Sequence, residues 1–127
     1  MHNQDQAPVR VIVADDHGPF RDALCALIAA TVGFEIIGAA AGAMEALDLL
    51  ACTEPDLVLL DLQMPGLGSV EMAHRFRRRN PDVVIVLLTV NVPRYGHTGS
   101  FAIEDKHHVS PRWLVDLWRD RSRNRDA

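Results

Sequence analysis

The chain has 127 residues, 48% of them hydrophobic and 24% charged, with a formal net charge of -4. That length and balance fit one globular domain with a sizeable core and exclude an intrinsically disordered chain. The acidic excess excludes the broad basic field that non-specific nucleic-acid binding needs, and it leaves room for a bound cation.

Residues 1–8 are expected to be disordered, and they lack the apolar core of a signal sequence. No later apolar run reaches membrane-spanning length, so a soluble protein is expected, and the reduced thiols expected of its two cysteines suit a cytoplasmic setting. Val9 to Ala14, apolar except for Arg10, reads as a first buried strand running into Asp15-Asp16-His17-Gly18. Gly18 and Pro19 then open a helix whose Phe20, Leu24, Leu27, Ile28 and Thr31 share a core-facing side, and Gly33 closes it. Phe34 to Ala40 is a second strand. Met44, Leu47 and Leu50 mark one face of a second helix that stops before Pro55. Cys25 and Cys52 fall in apolar helical contexts, in no metal-binding or redox spacing, and are expected to be reduced structural thiols.

Asp56 is followed by four consecutive aliphatic residues and then by Asp61, the pattern of a strand buried on both faces that delivers a charge at its carboxyl end. Met64-Pro65-Gly66 turns the chain. Ser69 is expected to cap a third helix, with Val70, Ala73 and Phe76 inward and Arg77-Arg78-Arg79 in its last turn, where cations complement the helix dipole. Val83 to Val90, broken only by Thr89, is a fourth strand. Asn91 to Ser100 holds Pro93, Gly96 and Gly99, too many breakers for a full helix, and is expected to be an irregular loop. Phe101 to Asp105 is a short strand ending at Lys106. Ser110-Pro111 starts a last helix striped by Trp113, Leu114, Leu117 and Trp118, and residues 122–127 form a polar tail. Strands and helices thus alternate through residues 9–121, which predicts a three-layer α/β domain with a parallel sheet.

If the strands are parallel, Asp15, Asp16, Asp61, Thr89 and Lys106 converge on one sheet edge, where ligands of open α/β folds bind. Three carboxylates there repel one another and favour a neutralising cation; oxygen ligands of this kind suit Mg2+. Such an edge can stabilise a transferring phosphoryl group by charge, with Asp61 as the attacking carboxylate.

With these residues in this order, the chain resembles the receiver domains of two-component response regulators, particularly those whose first strand ends in Asp-Asp-His. The resemblance implies the flavodoxin-like sheet order 2-1-3-4-5. It implies Asp61 as phosphoacceptor, with Mg2+ held by Asp15, Asp16, Asp61 and the backbone carbonyl of Gln63. Lys106 would bind a phosphoryl oxygen, Thr89 would be the hydroxyl that reports the phosphate, and Gln63 and Asn91 would flank the path of hydrolytic water. A sensor histidine kinase or phosphotransfer protein would be the donor, and an output domain or target protein would read the result. The resemblance implies no enzyme activity beyond the chain's own phosphorylation and dephosphorylation, and no direct nucleic-acid binding; a homodimer stays open.

Two features depart from the family pattern. Only nine residues separate Thr89 from Gly99, so the fourth helix is expected to be shortened or missing, and phosphorylation would order the segment after Thr89 instead of rotating a helix. Ile103 stands where many members carry an aromatic switch residue. Two rival readings stay open: a receiver-like interaction module no longer switched by phosphorylation, and a small phosphatase with an Asp nucleophile. The second lacks a general acid two residues after Asp61, where Gln63 stands.

Overall fold

A computed structural model describes residues 7–92 and 101–121. Among these, the strands are β1 (Val9–Ala14), β2 (Phe34–Ala40), β3 (Leu57–Asp61), β4 (Val84–Thr89) and β5 (Ala102–Asp105). The α-helices are α1 (Gly18–Ala29), α2 (Ala43–Cys52), α3 (Ser69–Arg79) and α4 (Pro111–Arg119), and a 3-10 turn spans Lys106–His108. All pairings are parallel and the sheet order is β2-β1-β3-β4-β5. This is the expected flavodoxin-like arrangement. No α-helix lies between β4 and β5 among the described residues, in keeping with a shortened or missing fourth helix. Most of the segment expected to form an irregular loop lies outside the described residues, as do most of the N-terminal segment and the tail at 122–127.

Alternation along the strands divides the core in two. Ile12, Ala14, Val58, Leu60, Ile85 and Leu87 face α2 and α3, while Val11, Val13, Leu57, Leu59, Val84, Val86 and Leu88 face α1 and α4. Every residue of β3 and β4 is buried, which explains their near-continuous aliphatic sequences. At 1.5–3 kcal/mol for each fully buried aliphatic side chain, roughly, these two strands form the apolar centre that can tolerate a carboxylate at the end of β3.

Several local expectations need correction. Met44 is 75% exposed, whereas Leu47 and Leu50 pack on the core as expected, joined by Ala43 and the fully buried Ala46. Met72, which periodicity left unassigned, is fully buried. Ser69 does not cap α3. Gly68 occupies the N-cap without a side-chain bond, because the Ser69 hydroxyl donates instead to the Asp61 carbonyl. Cys52 is exposed, not structural, whereas Cys25 is half-buried and burial raises its thiol pKa, aided by Asp22. Thr31 lies beyond the end of α1, its hydroxyl bonded to the Leu27 carbonyl. None of the described helices is long and apolar enough to cross a membrane.

Candidate functional site

The parallel register brings the strand ends to one edge. Ala14 pairs with Leu60 and Asp61 with Leu88, so Asp15 and Asp16 leave β1 beside the end of β3, and Thr89 follows one residue beyond the partner of Asp61. Thr89 in turn pairs with Asp105, which sets Lys106 just past the same edge.

Carboxylate oxygens of Asp15, Asp16 and Asp61 lie within 4.8 Å of one another, with Asp15 and Asp61 buried and Asp16 exposed. Local hydrogen bonds hold the loops that carry them. Asp15 Oδ1 accepts the His17 N–H at 2.8 Å, and Asp61 Oδ1 accepts the Gln63 N–H at 3.0 Å. His17 Nδ1 accepts the Phe20 N–H at 3.3 Å and so caps α1, a role its place before Gly18-Pro19 conceals. Gly66, at φ +94, supplies the left-handed residue that turns the chain toward α3 after Met64-Pro65.

Lys106 Nζ lies 2.7 Å from Asp15 Oδ2 and 3.6 Å from Asp61 Oδ1, with its side chain 11% exposed. The Asp15 contact is an ion pair outside hydrogen-bond angles, and Oδ2, fully buried, has no hydrogen-bond partner. Among the described residues, Lys106 is the cation paired with these acids, and it contacts two of the three. The Asp61 carboxyl pKa is pushed up to about 6, first by burial, then by the charge of Asp15 and a hydrogen bond with Asp16; the Gln63 N–H and Lys106 act in the opposite direction. A buried carboxylate oxygen without a hydrogen bond, beside a carboxylate reluctant to ionise, is the environment a divalent cation relieves. The donor set is all oxygen, as hard cations prefer.

Thr89 is fully buried and its hydroxyl accepts the Asn91 N–H at 3.1 Å; it belongs to the edge by register, not by a bond to the acids. Several contacts among the described residues escaped the sequence reading. Lys106 Nζ stands 4.6 Å from the centroid of the Phe20 ring, across 86 residues of chain. Ser69 joins the start of α3 to the end of β3. Glu104, on β5, accepts the Trp113 indole N–H at 2.9 Å and pairs with His108 at 3.1 Å, tying the Lys106 turn to α4. Nothing in the periodicity signals these contacts, because each joins separate elements. Beside the acids, His17, Phe20, Val90, Lys106 and His107 line a cleft of about 490 Å3.

Among doubly wound parallel folds, this strand order with clustered acids at the switch point marks the CheY-like signal receivers. Comparison with known proteins gives the family: residues 11–96 match the response regulator receiver domain, and the chain belongs to that family. Response regulator GacA of Pseudomonas viridiflava is 35% identical over 82 residues, which are 65% of this chain and 38% of GacA. The chain thus matches well under half the length of that relative. In fold, the chain resembles the signal receiver domain of the NarL response regulator from Mycobacterium tuberculosis, with TM-score 0.74, 23% identity and coverage of 92% of this chain and 98% of that one. It also resembles a chain in the crystal structure of the P1 domain of CheA3 in complex with CheY6 from R. sphaeroides, with TM-score 0.68, 24% identity and coverage of 89% and 95%. The family match ends at residue 96, so Lys106 reaches the site through the fold beyond the matched segment.

Proposed function

We propose that this chain is the phosphoacceptor domain of a two-component phosphorelay, with Asp61 as the acceptor. The observation that carries the reading is the cluster of three carboxylates within 4.8 Å, two of them in contact with the Lys106 ammonium. An Asp61 oxygen attacks the phosphorus of a phosphohistidine on a sensor histidine kinase or phosphotransfer protein; as the O–P bond forms, the P–N bond breaks, and its electron pair leaves with the imidazole, which takes up a proton. Lys106 binds a phosphoryl oxygen and Thr89 offers its hydroxyl to another. The complex of CheA3 P1 with CheY6 supports a donor of this kind, since its structure includes a chain of the same fold.

Asp15, Asp16, Asp61 and the Gln63 carbonyl would hold Mg2+, and Asp15 Oδ2, ion-paired with Lys106 but accepting no hydrogen bond, fits that role. When bound, the ion neutralises charge on the phosphoryl oxygens. The chain acts on no substrate other than its own acyl phosphate, in the cytoplasm. An output domain or separate target reads the phosphorylated state, and a homodimer is one form such a reading can take.

Incubation with acetyl phosphate, with and without Mg2+, followed by intact-mass measurement, tests the reading. One added phosphoryl group is expected on the native protein with Mg2+, and none on Asp61→Asn. Equal labelling of Asp61→Asn, or labelling at the same rate without a divalent ion, would sink it.

A further inference from the structure

We propose that Phe20 is a positioning residue for the phosphoryl-binding lysine, holding the Lys106 ammonium against the acid cluster through the face of its ring. The proposal rests on the phosphoacceptor reading of Asp61. Phe20 lies in the first turn of α1, where its backbone N–H is fixed by His17, and its ring packs on the core cluster between the sheet, α1 and α4. The ring is therefore mounted on a rigid element. Lys106 Nζ stands 4.6 Å from its centroid, inside the range of about 6 Å within which an aromatic face attracts a cation, and the ammonium is largely removed from water.

The need for such a holder follows from what phosphorylation does to Asp61, one of the two carboxylates that Lys106 contacts. Lysine is a point charge on a flexible four-carbon stem and loses much rotamer freedom when held in one place. Its present anchors are the carboxylates of Asp15 and Asp61. Once Asp61 carries a phosphoryl group, its carboxylate is part of a mixed anhydride and the charge that drew Lys106 moves outward onto phosphoryl oxygens. The Phe20 face does not change. It keeps the ammonium beside the reacting atoms before and after transfer, so the lysine exchanges one oxygen partner for another without swinging into the cleft bounded by His17, Val90 and His107.

The test varies the charge distribution of the ring at nearly constant shape. Phe20 is replaced by 4-fluoro-, 3,5-difluoro- and 3,4,5-trifluorophenylalanine in the full chain, and the second-order rate constant for labelling of Asp61 by acetyl phosphate is measured with Mg2+. A graded fall is expected, reaching roughly three- to tenfold for the trifluoro ring, with no parallel trend in melting temperature. Phe20→Leu should fall at least as far, and Phe20→Trp should restore the rate. In a Lys106→Met background the fluorinated series should be flat, since the ring then has no cation to hold. A flat series in an otherwise native protein that takes label, or the same graded fall in Lys106→Met, would overturn the role of Phe20 while leaving the acceptor assignment standing. A native protein that takes no label overturns the acceptor assignment and the role of Phe20 with it.

Discussion

Asp61 is the residue at which burial and charge oppose each other most directly. Its carboxyl pKa is raised from 3.8 to about 6, chiefly by burial, so the folded state favours the protonated form. The corresponding stabilisation is complete below pH 3.8 and is lost as the pH rises through about 6; at 1.36 kcal/mol per pH unit its loss amounts to roughly 3 kcal/mol. Urea unfolding in the presence of a chelator should therefore give lower stability at pH 7 than at pH 5, after correction for the slope that remains in Asp61→Asn. Mg2+ should recover much of the loss at pH 7, and Asp16→Ala should abolish that recovery without destabilising the metal-free protein, because it removes one repelling charge. Equal Mg2+ stabilisation of Asp16→Ala and the native chain would remove Asp16 from the metal shell. The candidate acids were legible in the sequence because each stands at the end of an apolar run. Their effect on one another was not, since it depends on distances set by the register of β1 and β3.

At the scale of the element, α3 gives the clearest lesson. A serine ahead of an amphipathic run has the standard signature of a cap, yet Ser69 turns its hydroxyl to the carbonyl of Asp61 and leaves the cap to Gly68. Local preference gave way to a buried acceptor eight residues earlier. Ser69→Ala should then remove the side-chain donor of a carbonyl that retains the Met64 N–H at 3.4 Å, and cost about 0.5–1.5 kcal/mol in urea unfolding, where helix propensity alone predicts a small gain because alanine is the better helix former. A cost near zero would mean that another donor replaces it. Met44 makes the same point from the other side: its spacing with Leu47 and Leu50 predicts a core position, yet it is exposed while Ala43 and Ala46 pack beside those two leucines. Small residues carry little weight in a periodicity argument, and here they set the phase of the helix.

For the whole molecule, the alternation of strand and helix was enough to predict the fold class, because a parallel sheet with short connections admits few topologies. The order β2-β1-β3-β4-β5 itself came from the family resemblance, and contacts such as Lys106 on Phe20 came only from the folded chain. Charge is also a property of the whole. The net charge is -4, and of the arginines on α3, Arg75 and Arg78 both pair with Glu71 while Arg77 stacks over Phe101. This chain alone is therefore expected to form no sequence-specific complex with DNA at physiological salt. Fluorescence-anisotropy titration against duplexes of varied sequence checks this; tight binding to one duplex over the others would contradict it.

The Glu104 carboxylate that grips the Trp113 indole gives the protein a built-in optical probe. Excitation shifts electron density in an indole from the pyrrole ring toward the benzene ring, so a negative charge beside the ring nitrogen lowers the energy of the excited state and moves emission to the red. Loosening of that grip, by any rearrangement of the turn that carries Lys106, should appear as a blue shift in the colour of Trp113, read without a dye or a label once Trp118→Phe has silenced the second indole.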